Sequence, residues 1–97
     1  MASVIDTIPI SETLRRNVPQ VQAPFPGDGL MVILDPYDPE PIDASGAAGR
    51  RASISRPDSS GLQWVVAGVE VRHGVVALYF EGLAQSEVPR LSRITLS

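Results

Sequence analysis

Gly61-Leu-Gln-Trp-Val-Val-Ala-Gly-Val-Glu-Val-Arg-His-Gly-Val-Val-Ala-Leu-Tyr-Phe80 is the stretch that decides the fold. Leu62, Trp64 and Val66 alternate on one parity, the signature of a strand with one buried face, which places Trp64 in the core. The next apolar pair, Val69 and Val71, sits on the opposite parity. One extra residue at Ala67-Gly68, a β-bulge, brings both pairs back to a single face, and glycine suits that position. Arg72-His73-Gly74 then turns the chain, with Gly74 in the left-handed region, and Val76, Leu78 and Phe80 return toward the core.

Outward from this hairpin the same pattern recurs. Arg51–Ser55 puts Ala52 and Ile54 inward, and Pro57-Asp58-Ser59-Ser60-Gly61 is a turn in which proline presets φ and Gly61 supplies the positive φ. Ser92–Ser97 points Ile94 and Leu96 inward. Gly29–Leu34 is apolar on both parities, as a strand covered on both faces reads. Five to six short antiparallel strands at close spacing predict an all-β domain, a small sandwich or barrel over residues 29–97.

Residues 1–28 differ in kind. Four prolines, at 9, 19, 24 and 26, interrupt a weak alternation of Val4, Ile8 and Ile10, which suits an edge strand or an extended N-terminal arm that orders against a neighbouring subunit. Ser11 can cap one helical turn before Pro19 stops it, and Phe25 is the large anchor of the stretch that follows. Between the strands at 29–34 and 51–55, Asp35 to Asp43 is a proline-punctuated acidic loop, and residues 44–49 are small enough to form a mobile tip.

With 97 residues the chain makes one modest core and no deep cleft. At 43% apolar and 20% charged it folds rather than staying disordered. No cysteine is present, which removes disulfides, thiolate zinc sites and cysteine nucleophiles together. A net charge of −3 argues against a general nucleic-acid binder, which needs a basic footprint on phosphates. No apolar run approaches the ~20 residues of a membrane span, and the first residues lack a secretory signal, so synthesis in the cytosol is expected.

The chemistry-bearing residues are sparse. His73 is the lone histidine and reads as a turn residue, because a general base needs an acid or nucleophile converging on it. Asp35, Asp38, Glu40 and Asp43 are oxygen ligands close together, but three prolines replace the alternation and central glycine of a calcium loop. Neither a metal nor a cofactor nor a small-molecule substrate is expected. All eight basic residues are arginine, and Arg50, Arg51 and Arg56 cluster opposite in sign to the acidic loop. Identical subunits could meet head to tail through that opposition. Tyr37, set between two prolines, has little entropy to lose on binding and completes the candidate interface.

Leu34-Asp-Pro-Tyr-Asp38, the arginine-bearing strand, and the hairpin from Gly61 to Phe80 together resemble the layout of small structural proteins of tailed-phage virions. Head-decoration proteins, head-completion or connector proteins and tail subunits share that class. The resemblance implies a non-enzymatic assembly subunit made in the host cytoplasm and resident in the virion. Its partners would be copies of itself or other virion proteins such as a capsid protein. The alternative is a free-standing β-sandwich module that binds a carbohydrate or another ligand through the loop around Tyr37.

Overall fold

The computed structural model describes residues 2–19, 23–38 and 42–97. Its strands are β1 (Ala2–Ile10), β2 (Gly29–Leu34), β3 (Arg51–Ser55), β4 (Gly61–Val65), β5 (Gly68–Arg72), β6 (Val75–Glu81) and β7 (Arg93–Leu96), with an α-helix, α1 (Glu12–Asn17), and a single 3-10 turn at Gln85–Glu87 among the described residues. They form a single seven-stranded antiparallel sheet in the order β4-β3-β7-β1-β2-β6-β5. The two strands at the ends of that order are consecutive in the chain, linked by Val66 and Ala67 alone. The sheet therefore curls until its ends meet in one segment, where Val66 N–H donates to Arg50 O (2.9 Å) and Ala67 N–H to Tyr79 O (2.7 Å). The result is an all-β, barrel-like fold.

Inside the curl lie Val4, Leu30, Val32, Leu34, Ile54, Val66, Leu78, Phe80, Val88 and Ile94, all buried. Apart from Val66 in the β4–β5 link and Val88 in the segment before β7, each comes from the apolar parity of its strand, which is why the alternation predicts most of the core. Two residues, Ala67 and Gly68, face the single Tyr79, so the bulge between Val66 and Val69 is present and both valines pack on one core, while Val71, expected inward with Val69, is 57% exposed. The hairpin that follows has positive φ at both central residues, His73 (53°) and Gly74 (78°), the handedness that matches strand twist.

The N-terminal segment departs most from expectation. Residues 2–10 are not an arm but a strand whose first residues lie between β7 and β2, with Ala2 paired to Ile94 and Val4 to Leu34. No boundary separates 1–28 from 29–97, since β1 hydrogen-bonds directly to β2. A bulge explains why the alternation looked weak: the register moves from Val4↔Leu34 to Asp6↔Ile33, so Ile5 is the extra residue. Ala2 and Val4 face the interior before it; Thr7 is buried after it, and Ile10 packs on the outer face. Pro9 is tolerated because β7 pairs with Ala2 and Ser3 alone, leaving the later part of β1 one-sided.

The rest of that segment is folded against its own sheet. Ser11 Oγ accepts from Leu14 N–H (3.1 Å) and caps α1. Arg15 donates to the carbonyls of Phe25 (2.8 Å), Pro26 (3.1 Å) and Gly27 (2.6 Å), with its guanidinium 5.8 Å from the Phe25 ring. Phe25 joins Ile10 and Tyr79 in a second small core on the outer face. Gly29 makes room for it: a Cβ there would stand 2.5 Å from the Phe25 ring and from Phe80 O.

Two turns also differ from their reading. Ser59, not Gly61, takes the positive φ (73°) of the β3–β4 turn. Gly61 lies in β4, where a Cβ would come within 2.9 Å of Ile54 O. The 44–49 segment is anchored rather than a loose tip, because Ala47 is buried in the main core and Gly49 N–H donates to Val66 O (2.7 Å). Seven strands replace the expected five to six, since residues 2–10 add one and the stretch 62–71 divides at its bulge.

Candidate interaction surface

The β2–β3 connection leaves the sheet beside the start of β1. Asp35 N–H donates to Ser3 O (2.9 Å), and Ser3 N–H donates to Asp38 Oδ2 (3.1 Å), so the Asp-Pro-Tyr-Asp turn is stitched to the first strand at both ends. Asp35 Oδ1 accepts from Tyr37 N–H (2.9 Å), an aspartate turn that presets the backbone under the tyrosine. The phenol itself is 91% exposed. Asp43 closes a similar turn on Ser45 N–H (3.0 Å), and Glu40 lies outside the described residues.

The arginines divide. Arg50 Nε donates to Ser97 O (2.9 Å), and Arg51 Nη1 has a long contact to Gln63 Oε1 (3.5 Å). Neither forms a salt bridge with an acid among the described residues. Arg56 is committed within the chain: it donates to Glu87 O (2.8 Å) and Ser60 Oγ (3.1 Å) and pairs with the Glu87 carboxylate. The expected cluster of three is thus two available cations and one that locks the β3–β4 hairpin to the segment before β7.

His73 stands at the rim of a shallow depression over Met31, Ile33, Val75 and Ala77, beside the Glu70–Arg72 ion pair (2.7 Å). Glu70 also accepts from the Tyr79 hydroxyl (2.9 Å). Burial and that carboxylate push the Tyr79 pKa up to about 12. Asp58 is shifted as well: hydrogen bonds from the Ser60 hydroxyl (2.5 Å) and amide (2.9 Å) hold its carboxyl below the usual range. Among the described residues no three His, Asp or Glu side chains gather as metal ligands, and no helix is long and apolar enough to cross a membrane.

Several large apolar side chains are exposed. Trp64, expected in the core, is 37% exposed and donates its indole N–H to Glu81 O (2.8 Å) across the seam between β4 and the end of β6. Val65 beside it is 52% exposed. Leu91 is 73% exposed with a positive φ of 69°, held there by Leu91 N–H to Val4 O (3.0 Å) and Val4 N–H to Ser92 O (2.8 Å). Val65 lies on the outward parity of β4, and Leu91 in the turn before β7; parity could not reveal Trp64, whose exposure follows from where the sheet ends. Comparison with protein-family models, curated proteins and solved structures finds no significant match.

Proposed function

We propose that this chain is a non-enzymatic assembly subunit of a tailed-phage virion, a decoration, connector or tail component, acting through protein–protein contacts. The observation that carries the reading is Tyr37, an aromatic side chain 91% exposed on a turn whose backbone is already fixed. A preset, solvent-facing aromatic costs little ordering entropy when a partner covers it, which is the profile of a binding hot spot. Asp35 and Asp38 flank it with negative charge, Asp43 follows in the same connection, and Arg50 and Arg51 offer the complement at the start of the next strand. Opposed patches on one subunit support head-to-tail contact with a copy or docking on another virion protein. The experiment is native mass measurement of the purified protein beside Tyr37→Ala and the double variant Arg50→Glu, Arg51→Glu, with melting curves on the same samples. Loss of a hot spot worth ~2 kcal/mol weakens association about thirtyfold while leaving the melt unchanged. A strictly monomeric protein that captures a soluble sugar through Tyr37 would replace the assembly reading with the ligand-binding module.

A further inference from the structure

β4 ends the sheet order and has a ladder on one side only. The phase of that ladder is set by Arg56 N–H to Ser60 O (2.7 Å) and Val66 N–H to Arg50 O (2.9 Å). Leu62 and Trp64 accordingly exchange their backbone bonds with Ile54 and Ala52, while Gly61, Gln63 and Val65 direct theirs away from β3. All three are exposed. Proteins commonly blunt such an edge with charge, proline or a bulge. Gly61-Leu-Gln-Trp-Val65 has none of these. The opposite end of the sheet is protected, since β5 carries Glu70 and Arg72 and starts at the Ala67-Gly68 bulge.

We infer that the β4 edge pairs antiparallel with β4 of a second copy, about a two-fold axis through Gln63. The strand's composition argues for a copy as the occupant. With Gln63 opposite the partner's Gln63, Gly61 faces the partner's Val65 and leaves space for it. Leu62 faces the partner's Trp64, covering indole surface that is exposed in the monomer. Gln63 meets its own amide, which both donates and accepts. No like charges meet, because the strand has no charge. The outward-facing residues make three narrow pairs, each exchanging two hydrogen bonds. This contact uses a different strand from the Tyr37 loop and does not depend on the virion reading. Five residues of strand bury less than the ~1,200 Å² of a standard interface, so the free dimer is weak, with a dissociation constant between about 10 μM and 1 mM.

The test is sedimentation velocity over a concentration series that extends to about 1 mM, on wild type, Gln63→Pro, Gln63→Lys and Gln63→Glu. Proline removes an N–H that serves no bond to β3, so the monomer keeps its fold while the central pair is lost. Lysine or glutamate sets like charges against each other at the two-fold and weakens the dimer by about fivefold or more. Mixing the lysine and glutamate variants in equal amounts restores association as a heterodimer. Hydrogen exchange should show Gly61, Gln63 and Val65 amides gaining protection as concentration rises, with Leu62 and Trp64 protected throughout. A wild type that stays monomeric across the series overturns the proposal. So does a dimer indifferent to lysine and glutamate, or a mixture no tighter than either variant alone.

Discussion

Val4→Ala separates an interior first strand from a detachable arm. Val4 is fully buried, packs in the main core and is flanked on both edges, in register with Leu34 of β2 and hydrogen-bonded to Leu91 and Ser92 ahead of β7. Truncation leaves the backbone bonds intact and removes two methyl groups. At ~0.8 kcal/mol per buried carbon, transfer alone costs about 1.6 kcal/mol, and the cavity raises the total to about 2–3 kcal/mol. In a domain of this length that lowers Tm by about 10–20 °C. Urea denaturation followed by Trp64 fluorescence measures the loss directly. Ile5→Ala is the matched control, because the bulge places Ile5 37% exposed one residue away, and its cost should stay below about 1 kcal/mol. If Val4→Ala moved the midpoint no more than Ile5→Ala, β1 would contribute nothing to global stability and the interior-strand assignment would be wrong.

Tyr79 should ionise near pH 12, measured by ultraviolet difference absorbance in a Tyr37→Phe background, and Glu70→Gln should bring the transition down. Its folded pKa lies above the unfolded value near ~10, so the associated stability is intact below about pH 10 and is lost as pH rises through 12. Ser59→Gly should stabilise the fold by about 0.5 kcal/mol, read as a Tm increase of about 2–4 °C, since the exposed serine holds a φ of 73° that costs glycine nothing. A lower Tm would show that the Asp58–Ser60 hydrogen bonds need the serine backbone.

The second half of the chain was legible because its strands alternate cleanly and its turns carry their own chemistry. The span 51–55, the bulge at Ala67-Gly68 and the Gly74 turn follow from side-chain parity or from a required positive φ, and before them 29–34 stands out as a short run apolar on both parities. The first strand was obscured by two local features, the Ile5 bulge and Pro9, that look like disorder until β7 is seen to cover only Ala2 and Ser3. Trp64 shows the limit of parity. It points to the correct side of its strand, yet it stands at a sheet edge, and edges are set by strand order. The candidate interface was legible as composition: Tyr37 is the exposed aromatic its proline context predicts. That Arg56 belongs to Glu87 depends on residues 31 apart meeting in space, which no local pattern encodes.

The position of β7 constrains how the chain is made. Arg93–Leu96 inserts between β1 and β3 and bonds to both, so β1 completes its pairing only when a strand far downstream of it has been made. Until then the β1-β2-β6-β5 half and the β3-β4 hairpin are joined by the 35–50 connection and the Val66-Ala67 bend but share no strand ladder, with both flanks of the future β7 slot open. Pairing at such separation makes closure slow relative to hairpin formation. A nascent or truncated chain without these four residues would present two adjacent strand edges to its neighbours, making the interval before closure the period of greatest exposure to misassembly.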